Sequence, residues 1–300
     1  MALPEVYKPL EESIGYVFQE KALLVEAMTH PSYVSALYTS ERLEFIGDAI
    51  LDHIVVQELF SKEPQVLENW QMHLLRTALV NGDILGFLIM EWGPKLLTND
   101  VVFEDGSEDD NRGRKHSPVL QPLETTTPLW SYMRYQSIEL THEREATSRR
   151  HAELREPILE AIRSGTHYPW ALLARLHAPK FFSDLYEALV GAIWVDSGSF
   201  DACKAFVERS GLLSYLKRLR GHPPVHVLHP KEELGRLALS ETVSYDVREA
   251  EEEETGGGRF SCKVLLGLKE IVDVGGALFR EEARVRAATE AVAKIVGGIN

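Results

Sequence analysis

The sequence predicts a mainly helical domain followed by a small α+β domain. Two long apolar runs carry acidic residues at helical spacing, ERLEFIGDAILD at 41–52 and DLYEALVGAIWVDSG at 184–198. The spacing of hydrophobic residues changes after residue 230, where a short helical pattern precedes three strand-like stretches and a closing helix. A chain of 300 residues with 44% hydrophobic content can form two domains with substantial cores.

The first acidic run places three carboxylates on one side of a helix. Glu44 and Asp48 lie about 40° apart around the helix axis, and Glu41 lies about 60° from Glu44. Apolar residues cover much of the remaining surface, which predicts a helix that is packed on most sides. Crowded carboxylates in such a setting repel each other unless a cation or a proton offsets their charge. The alternative is an amphipathic helix whose acids face water.

The second acidic run supplies another carboxylate pair. Asp184 and Glu187 are three residues apart and therefore share a helix face, and the apolar stretch 188–195 predicts that this helix is internal. Two internal helices of this kind can pool four acids around hard divalent cations, which prefer oxygen ligands. The small number of nitrogen or sulfur ligands nearby favours Mg²⁺ or Mn²⁺ over zinc.

Four motifs together resemble the ribonuclease III family. ERLEFIGD at 41–48 matches its first signature, and DLYEALVGAI at 184–193 matches its second. THPSY at 29–33 and RTALVNG at 76–82 also resemble the family and occur in the family's order. The resemblance implies a mainly α ribonuclease III endonuclease domain.

The resemblance also predicts how the chain is divided. The nuclease domain is expected at 1–221, a Pro- and His-rich linker at 222–230 and a second domain at 231–300. Residues 95–179 differ in composition from the residues on either side. They begin with acidic sequence that contains Gly and Pro, and from about 131 to 164 they are charged and have a helical pattern. This difference predicts a long insertion between two halves of the nuclease domain. With an insertion at this place, the chain most resembles the C-terminal ribonuclease III domain of Dicer-like proteins, particularly fungal ones.

The predicted α-β-β-β-α order of the last 70 residues resembles a double-stranded-RNA-binding domain. That family usually presents a basic cluster at the start of its last helix, and the corresponding run here is Arg280-Glu281-Glu282. Arg280 is the candidate RNA contact, whereas the two acids are expected to lie beside the phosphates. The segment has 10 Lys and Arg against 14 Asp and Glu, a net charge of −4. We therefore expect the fold to persist with reduced affinity for RNA.

The resemblance implies a reaction and the residues that carry it. It assigns metal binding and catalysis to four carboxylates: Glu44, Asp48, Asp184 and Glu187. Two Mg²⁺ ions per site, or Mn²⁺ as the alternative, are expected about 4 Å apart and activate water against a phosphodiester of double-stranded RNA. Glu41 and Lys180 are candidate RNA contacts. For Lys180 the alternative, equally favoured, is that it is an ordinary surface lysine. A further acid of the bacterial pattern falls near Asn69, where this chain has an amide.

The family pattern also predicts a partner, because two ribonuclease III domains pair so that both strands are cut. A free-standing chain is expected to form a homodimer, and a piece of a larger chain to pair with another ribonuclease III domain. Two function classes remain open. One is a metal-dependent endoribonuclease in small-RNA production and RNA silencing, and the other is a non-catalytic RNA-binding or scaffolding module of the same fold.

Composition limits the location and the remaining chemistry. No apolar run reaches the roughly 18 residues of a membrane span, and no secretory signal is visible, so we expect a cytoplasmic or nuclear protein with no membrane partner. Cys203 and Cys262 predict no disulfide. The net charge of −14 is unusual for a nucleic-acid enzyme, and part of it lies in the acidic runs 104–110 and 251–254, which predict solvated loops. The histidines of the linker predict a flexible connection rather than a metal site.

Overall fold

The computed structural model describes residues 7–61, 65–102, 119–239, 241–249 and 258–297. The acidic runs 104–110 and 251–254 lie outside these ranges. The helices of the larger part are α1 (Lys8–Ile14), α2 (Lys21–Ala27), α3 (Glu41–Phe60), α4 (Asn69–Leu79), α5 (Gly82–Glu91), α6 (Ile138–Ser164), α7 (Trp170–Leu176), α8 (Lys180–Ser197), α9 (Phe200–Arg209) and α10 (Leu212–Leu219). An antiparallel hairpin, β1 (Lys95–Val102) and β2 (Val119–Thr126), lies between α5 and α6.

The packing of α8 against α3 forms the centre of the larger part. Helix α8 is buried along most of its length, with Phe182 and Leu189 completely inaccessible. It begins directly after Pro179 and ends at Gly198, which adopts the left-handed conformation (φ 61°) that favours glycine at a helix C-terminus. These boundaries place Asp184 and Glu187 within the first eight residues of α8.

Helix α3 is buried on one face only. Its inner face includes Leu51 and Val55, which are inaccessible to solvent, but Phe45 is 82% exposed and Phe60 is 78% exposed. The prediction that this helix is packed on most sides is therefore wrong for the chain by itself. The reason is that α8 and its neighbours cover one side of α3, and no other described segment covers the side that carries Phe45.

The segment between the two signature helices contributes to the same hydrophobic core. Helix α6 begins at residue 138 rather than near 131, because a 3-10 turn (Leu129–Tyr132) comes first and the Ser137 hydroxyl then accepts the N–H of Leu140 at the helix start. Ile158 of α6 and Leu173 of α7 are buried in the cluster that also includes α3 and α8. Helices α6 and α7 therefore stabilise the arrangement that positions the site.

The smaller part has the predicted α-β-β-β-α order and its own apolar cluster. Its elements are α11 (Pro230–Leu237), β3 (Val243–Glu249), β4 (Phe260–Leu266), β5 (Lys269–Ala277) and α12 (Arg280–Gly297). The strands pair antiparallel in the order β3-β4-β5. Small residues of α12, among them Ala283 and Ala287, are buried against the sheet together with Leu234 of α11. The predicted fold class is confirmed for both parts.

Two further sequence expectations concern cysteines and membrane spans. Cys203 and Cys262 are both buried free thiols. Within the described ranges no single helix is long and apolar enough to cross a membrane, whereas the bent pair α4–α5 passes on length and composition alone.

Candidate active site

Two glycines allow α3 and α8 to touch through their backbones. A Cβ atom added to Gly47 would lie 1.8 Å from the carbonyl oxygen of Glu187, and one added to Gly191 would lie 2.0 Å from that of Leu43. Real Cβ atoms cannot occupy such positions, so only glycine permits this approach. The contact brings the carboxylates of the two helices to one place.

We expect Gly47→Ala to destabilise the protein, because the new methyl group must push the two backbones apart. Overpacking of a well-packed contact costs about 1–3 kcal/mol and occasionally more. Gly235→Ala in α11 is the matched control, since a Cβ there meets nothing within 4 Å, and it should be neutral or stabilising by up to about 1 kcal/mol. Urea unfolding of the three proteins measures the difference. Equal losses of stability in both variants would contradict this role for Gly47.

Three carboxylates form a cluster at the α3–α8 contact. One oxygen from each of Glu44, Asp184 and Glu187 lies within 4.8 Å of the other two. The cluster opens into a cavity of about 560 Å³. Asp48 lines the same cavity but lies outside the cluster and is exposed. The structure therefore brings three of the four predicted ligands together and places the fourth beside them.

The ammonium group of Lys180 bridges two of the clustered acids. It donates to Glu44 Oε1 at 2.6 Å and to Asp184 Oδ1 at 2.5 Å. Burial opposes the charge on Lys180, but the hydrogen bonds to Asp184 and Glu44 outweigh it and raise the lysine pKa. The side chain is 73% exposed, so it can leave the carboxylates by rotating into solvent. Lys180 thus acts as a counter-ion of the site.

Glu187 is the acid of the cluster that most readily holds a proton. Burial, followed by the charges of Asp48, Asp184 and Glu44, raises the pKa of Glu187 to about 8. The pKa of Asp184 is also raised, chiefly by burial and despite its bond to Lys180. A cluster that holds a proton near neutral pH has more negative charge than one lysine offsets. Its donor set consists of carboxylate oxygens, so these residues fit hard divalent cations such as Mg²⁺ or Mn²⁺.

The other acids of the signature runs have different surroundings. Glu41 is exposed at the same cavity and accepts a hydrogen bond from the Thr39 hydroxyl at 3.3 Å. Asp52 points instead to Arg76, with which it forms an ion pair. Asp196 accepts the Tyr16 hydroxyl and two backbone N–H groups, which fixes the α1–α2 connection. Asp52 and Asp196 therefore have structural roles.

Two further sequence candidates lie away from the cavity. Asn69 is the first residue of α4, where the neighbouring Glu68 forms a reciprocal cap with Gln71. In the linker, the His229 ring accepts the N–H of Lys231 at the start of α11, and His226 pairs with Glu233. Both histidines therefore have structural partners at the start of α11.

The start of α12 packs against the larger part of the chain, a contact that the sequence does not predict. Glu282 is completely buried and forms ion pairs with Arg175 of α7 and Arg286 of α12, while it accepts the N–H of Leu278. Phe279 stacks on His177 with ring centroids 4.1 Å apart. The expectation that Glu282 lies beside RNA phosphates is therefore wrong, because its carboxylate is enclosed between the two parts of the chain.

The neighbours of Glu282 differ in their exposure. Glu281 is half-buried and pairs with Lys231 and Arg284. Burial, followed by the charge of Glu281, raises the pKa of Asp83 on α5 to about 6. Arg280 is exposed, pairs with Glu249 and lies over the Phe260 ring at 5.0 Å. Arg280 is thus the one residue of the run Arg280-Glu281-Glu282 that faces solvent broadly.

The fold and the site together define a class of protein. It is a helical hydrolase-like domain in which two central helices, joined through glycines, hold a carboxylate cluster suited to divalent cations, followed by a small α+β domain. Comparison with family models agrees with both parts. Residues 41–198 match the ribonuclease III domain, and residues 224–298 match the double-stranded-RNA-binding domain of Dicer-like protein 2. The chain therefore belongs to the ribonuclease III family of endoribonucleases.

Similar proteins include fungal relatives and solved bacterial structures. Dicer-like protein 2 of Cryphonectria parasitica is 60% identical over 300 residues, and that of Pyricularia oryzae is 42% identical over 309 residues. Each alignment covers 97% of this chain and 20% of the relative, so the chain spans one fifth of their length. Two structures of the ribonuclease III nuclease domain from Campylobacter jejuni have 23% and 22% identity. They cover 70% and 72% of this chain and 96% and 97% of those chains, with TM-scores of 0.40 and 0.41.

Proposed function

We propose that this chain cleaves double-stranded RNA with the help of Mg²⁺ or Mn²⁺ and that its products are small RNAs used in RNA silencing. The carboxylate cluster of Glu44, Asp184 and Glu187 is the observation that carries the proposal. The silencing role is supported by the similarity to Dicer-like protein 2 of fungi. The non-catalytic alternative is disfavoured because a merely structural cluster gains nothing from three mutually repelling carboxylates.

The residues of the cavity have distinct tasks in such a reaction. Divalent cations, when bound, would activate water and stabilise the leaving oxygen of the phosphodiester. Glu44, Asp184, Glu187 and Asp48 would hold those cations. Glu187 must lose its proton first, and Lys180 must release the carboxylates of Glu44 and Asp184. The freed ammonium of Lys180, which is exposed, then lies where it can donate to an RNA phosphate.

The proposal is tested with a labelled RNA duplex incubated with Mg²⁺, with Mn²⁺ and with EDTA. We expect cleavage of both strands with either metal and none with EDTA, together with 5′-phosphate and 3′-hydroxyl ends. A chain that binds the duplex but leaves it intact under all three conditions is the non-catalytic module, and the proposal is then wrong.

We also propose that the exposed face of α3 pairs with a second ribonuclease III domain. Phe45 on this face is 82% exposed and borders the catalytic cavity, and Leu37 in the preceding loop is 86% exposed. Large apolar side chains that are exposed beside a functional cavity are typical of an interaction surface. The partner is a second copy of this chain, or another domain of the same kind if the chain is part of a longer protein.

Sedimentation at micromolar concentration tests the pairing. We expect a mass near twice 33.8 kDa, and Phe45→Asp should give a monomer because it places a charge in the apolar contact. Leu268→Asp is the control, since Leu268 is fully exposed in the β4–β5 turn of the small domain. A monomeric wild-type protein that cuts both strands unaided would contradict the pairing.

A further inference from the structure

A second cavity, of about 410 Å³, lies against one face of α6. Arg144 lines this cavity, and its guanidinium carbon lies 4.5 Å from the ring centroid of Trp130 and 4.7 Å from that of Tyr135. Ser148 and Arg149 also line the cavity, as does the carboxylate-bearing Glu145. The cavity therefore combines two aromatic rings with two arginines in a chain that is acidic overall.

Arg144 forms no ion pair with any residue in the part of the chain that the structure describes. Its two cation–π contacts are the interactions it makes there, and its Nε is buried without a hydrogen-bond acceptor, as is Nε1 of Trp130. Contact with two rings restricts the guanidinium plane, so little conformational entropy is lost when its outer nitrogens bind a ligand. A fork of donors held in this way, without an acidic partner, is suited to a phosphate group.

The second cavity is adjacent to the catalytic one. Met133 lines the catalytic cavity, and Tyr135, two residues later, lines the second. Two residues of extended chain span at most about 7 Å. Trp130 also packs edge-on against Phe182 of α8, with ring centroids 5.6 Å apart. One RNA duplex is wide enough to reach both cavities at once.

We propose that the cavity around Arg144 binds a backbone phosphate of the same RNA duplex that is cut at the carboxylate cluster. This inference rests on the proposed function. Arg144 supplies a bidentate pair of donors, and Arg149 and the hydroxyl of Ser148 supply further ones. Glu145 opposes the phosphate by charge. The contact positions the duplex without reading its bases, since the gap between the rings is filled by the guanidinium.

The test measures duplex binding by the full chain carrying Glu187→Gln, which prevents cutting, with and without Arg144→Met. We expect Arg144→Met to weaken binding about tenfold and to reduce the slope of log K against log salt by about one, as the loss of one phosphate contact requires. Arg163→Met is the matched control, because Arg163 is exposed on the same helix and lies about 28 Å away by the helical rise. It should change affinity less than about twofold, beyond the reach of screened charges.

Two more variants fix the sign and the geometry of the contact. Glu145→Gln should strengthen binding, because it removes the opposing charge. Arg144→Lys keeps the charge but loses the planar fork, so it should weaken binding while the salt slope stays at the value of the parent protein. Arg144→Lys also replaces Arg144→Met as the deciding variant if the methionine variant melts early.

Unchanged affinity and slope in Arg144→Met, or an equal loss in Arg163→Met, overturns the inference. Inorganic phosphate at 1 mM and constant ionic strength should not compete with the duplex. If it does compete, and the competition is lost in Arg144→Met, the cavity is a site for free phosphate and the inference is also overturned. Cleavage by the wild-type chain is measured separately. Its absence defeats the proposed function, whereas intact cleavage with a silent Arg144 defeats this inference alone.

Discussion

Replacing Glu187 with Gln reduces cleavage of double-stranded RNA by more than about 100-fold while the protein remains folded. Loss of residues that merely orient metal ligands typically costs 10–100-fold, and the loss of a ligand itself should exceed this. Gln retains the size of the side chain and removes the negative charge that cation binding requires. Single-turnover cleavage with saturating enzyme measures the chemical step. Undiminished activity would remove Glu187 from the catalytic site.

The same substitution should stabilise the protein in EDTA, increasingly so as the pH rises. Folding raises the pKa of Glu187 from 4.5 to about 8, so the folded protein holds a proton that the unfolded chain has lost between these values. The stability due to this proton is fully present below pH 4.5 and is lost as the pH rises through 8. Urea unfolding at pH 5 and pH 9 should therefore show a decline in the wild type that is smaller in Glu187→Gln. Glu41→Gln, at the exposed edge of the cavity, should leave the decline unchanged.

Replacing Glu282 with Lys separates the small domain from the nuclease domain. The new cation would occupy a completely buried position between Arg175 and Arg286, where the carboxylate now pairs with both. An uncompensated buried charge of this kind costs about 3–5 kcal/mol. Limited proteolysis should cut the linker around 222–230 faster, and small-angle scattering should detect a more extended particle. Glu281→Lys is the control, because Glu281 is half-buried and its change should affect the docking less.

The charge pattern alone suggests a different result for these lysines, namely tighter RNA binding. That expectation fails physically because Glu282 is not available to a phosphate while the domains are docked. A Glu282→Lys protein that remains docked and binds the duplex more tightly than the wild type would show that the acid had faced RNA after all. RNA affinity at physiological salt and the scattering profile together decide between the two outcomes.

The sequence predicts local features of this chain well and long-range ones poorly. Helical spacing predicts that Glu44 and Asp48 share one helix face and that Asp184 and Glu187 share another. The close approach of the two helices depends on glycines that lie in the same two motifs. The position of Asp48 outside the cluster could not be foreseen, because it depends on the crossing of α3 and α8 rather than on periodicity. The burial of Glu282 is not predictable for a similar reason, since its partner Arg175 is 107 residues away in the chain. The exposed side of α3 is not predictable from the sequence either, because helical periodicity does not tell how much of a helix the rest of the fold covers.

The backbone contact between Gly47 and Gly191 has a consequence for how the protein can change. At these two positions main-chain atoms set the separation of the helices, so neither glycine can be exchanged for a larger residue without pushing the helices apart. The spacing of the carboxylates is thereby insulated from substitutions elsewhere on the surface. The α6 segment and the docked domain can therefore vary in sequence while the spacing of the carboxylates stays constant. One part of the fold, the α3–α8 contact, fixes the positions of the carboxylates, and other parts are free to change.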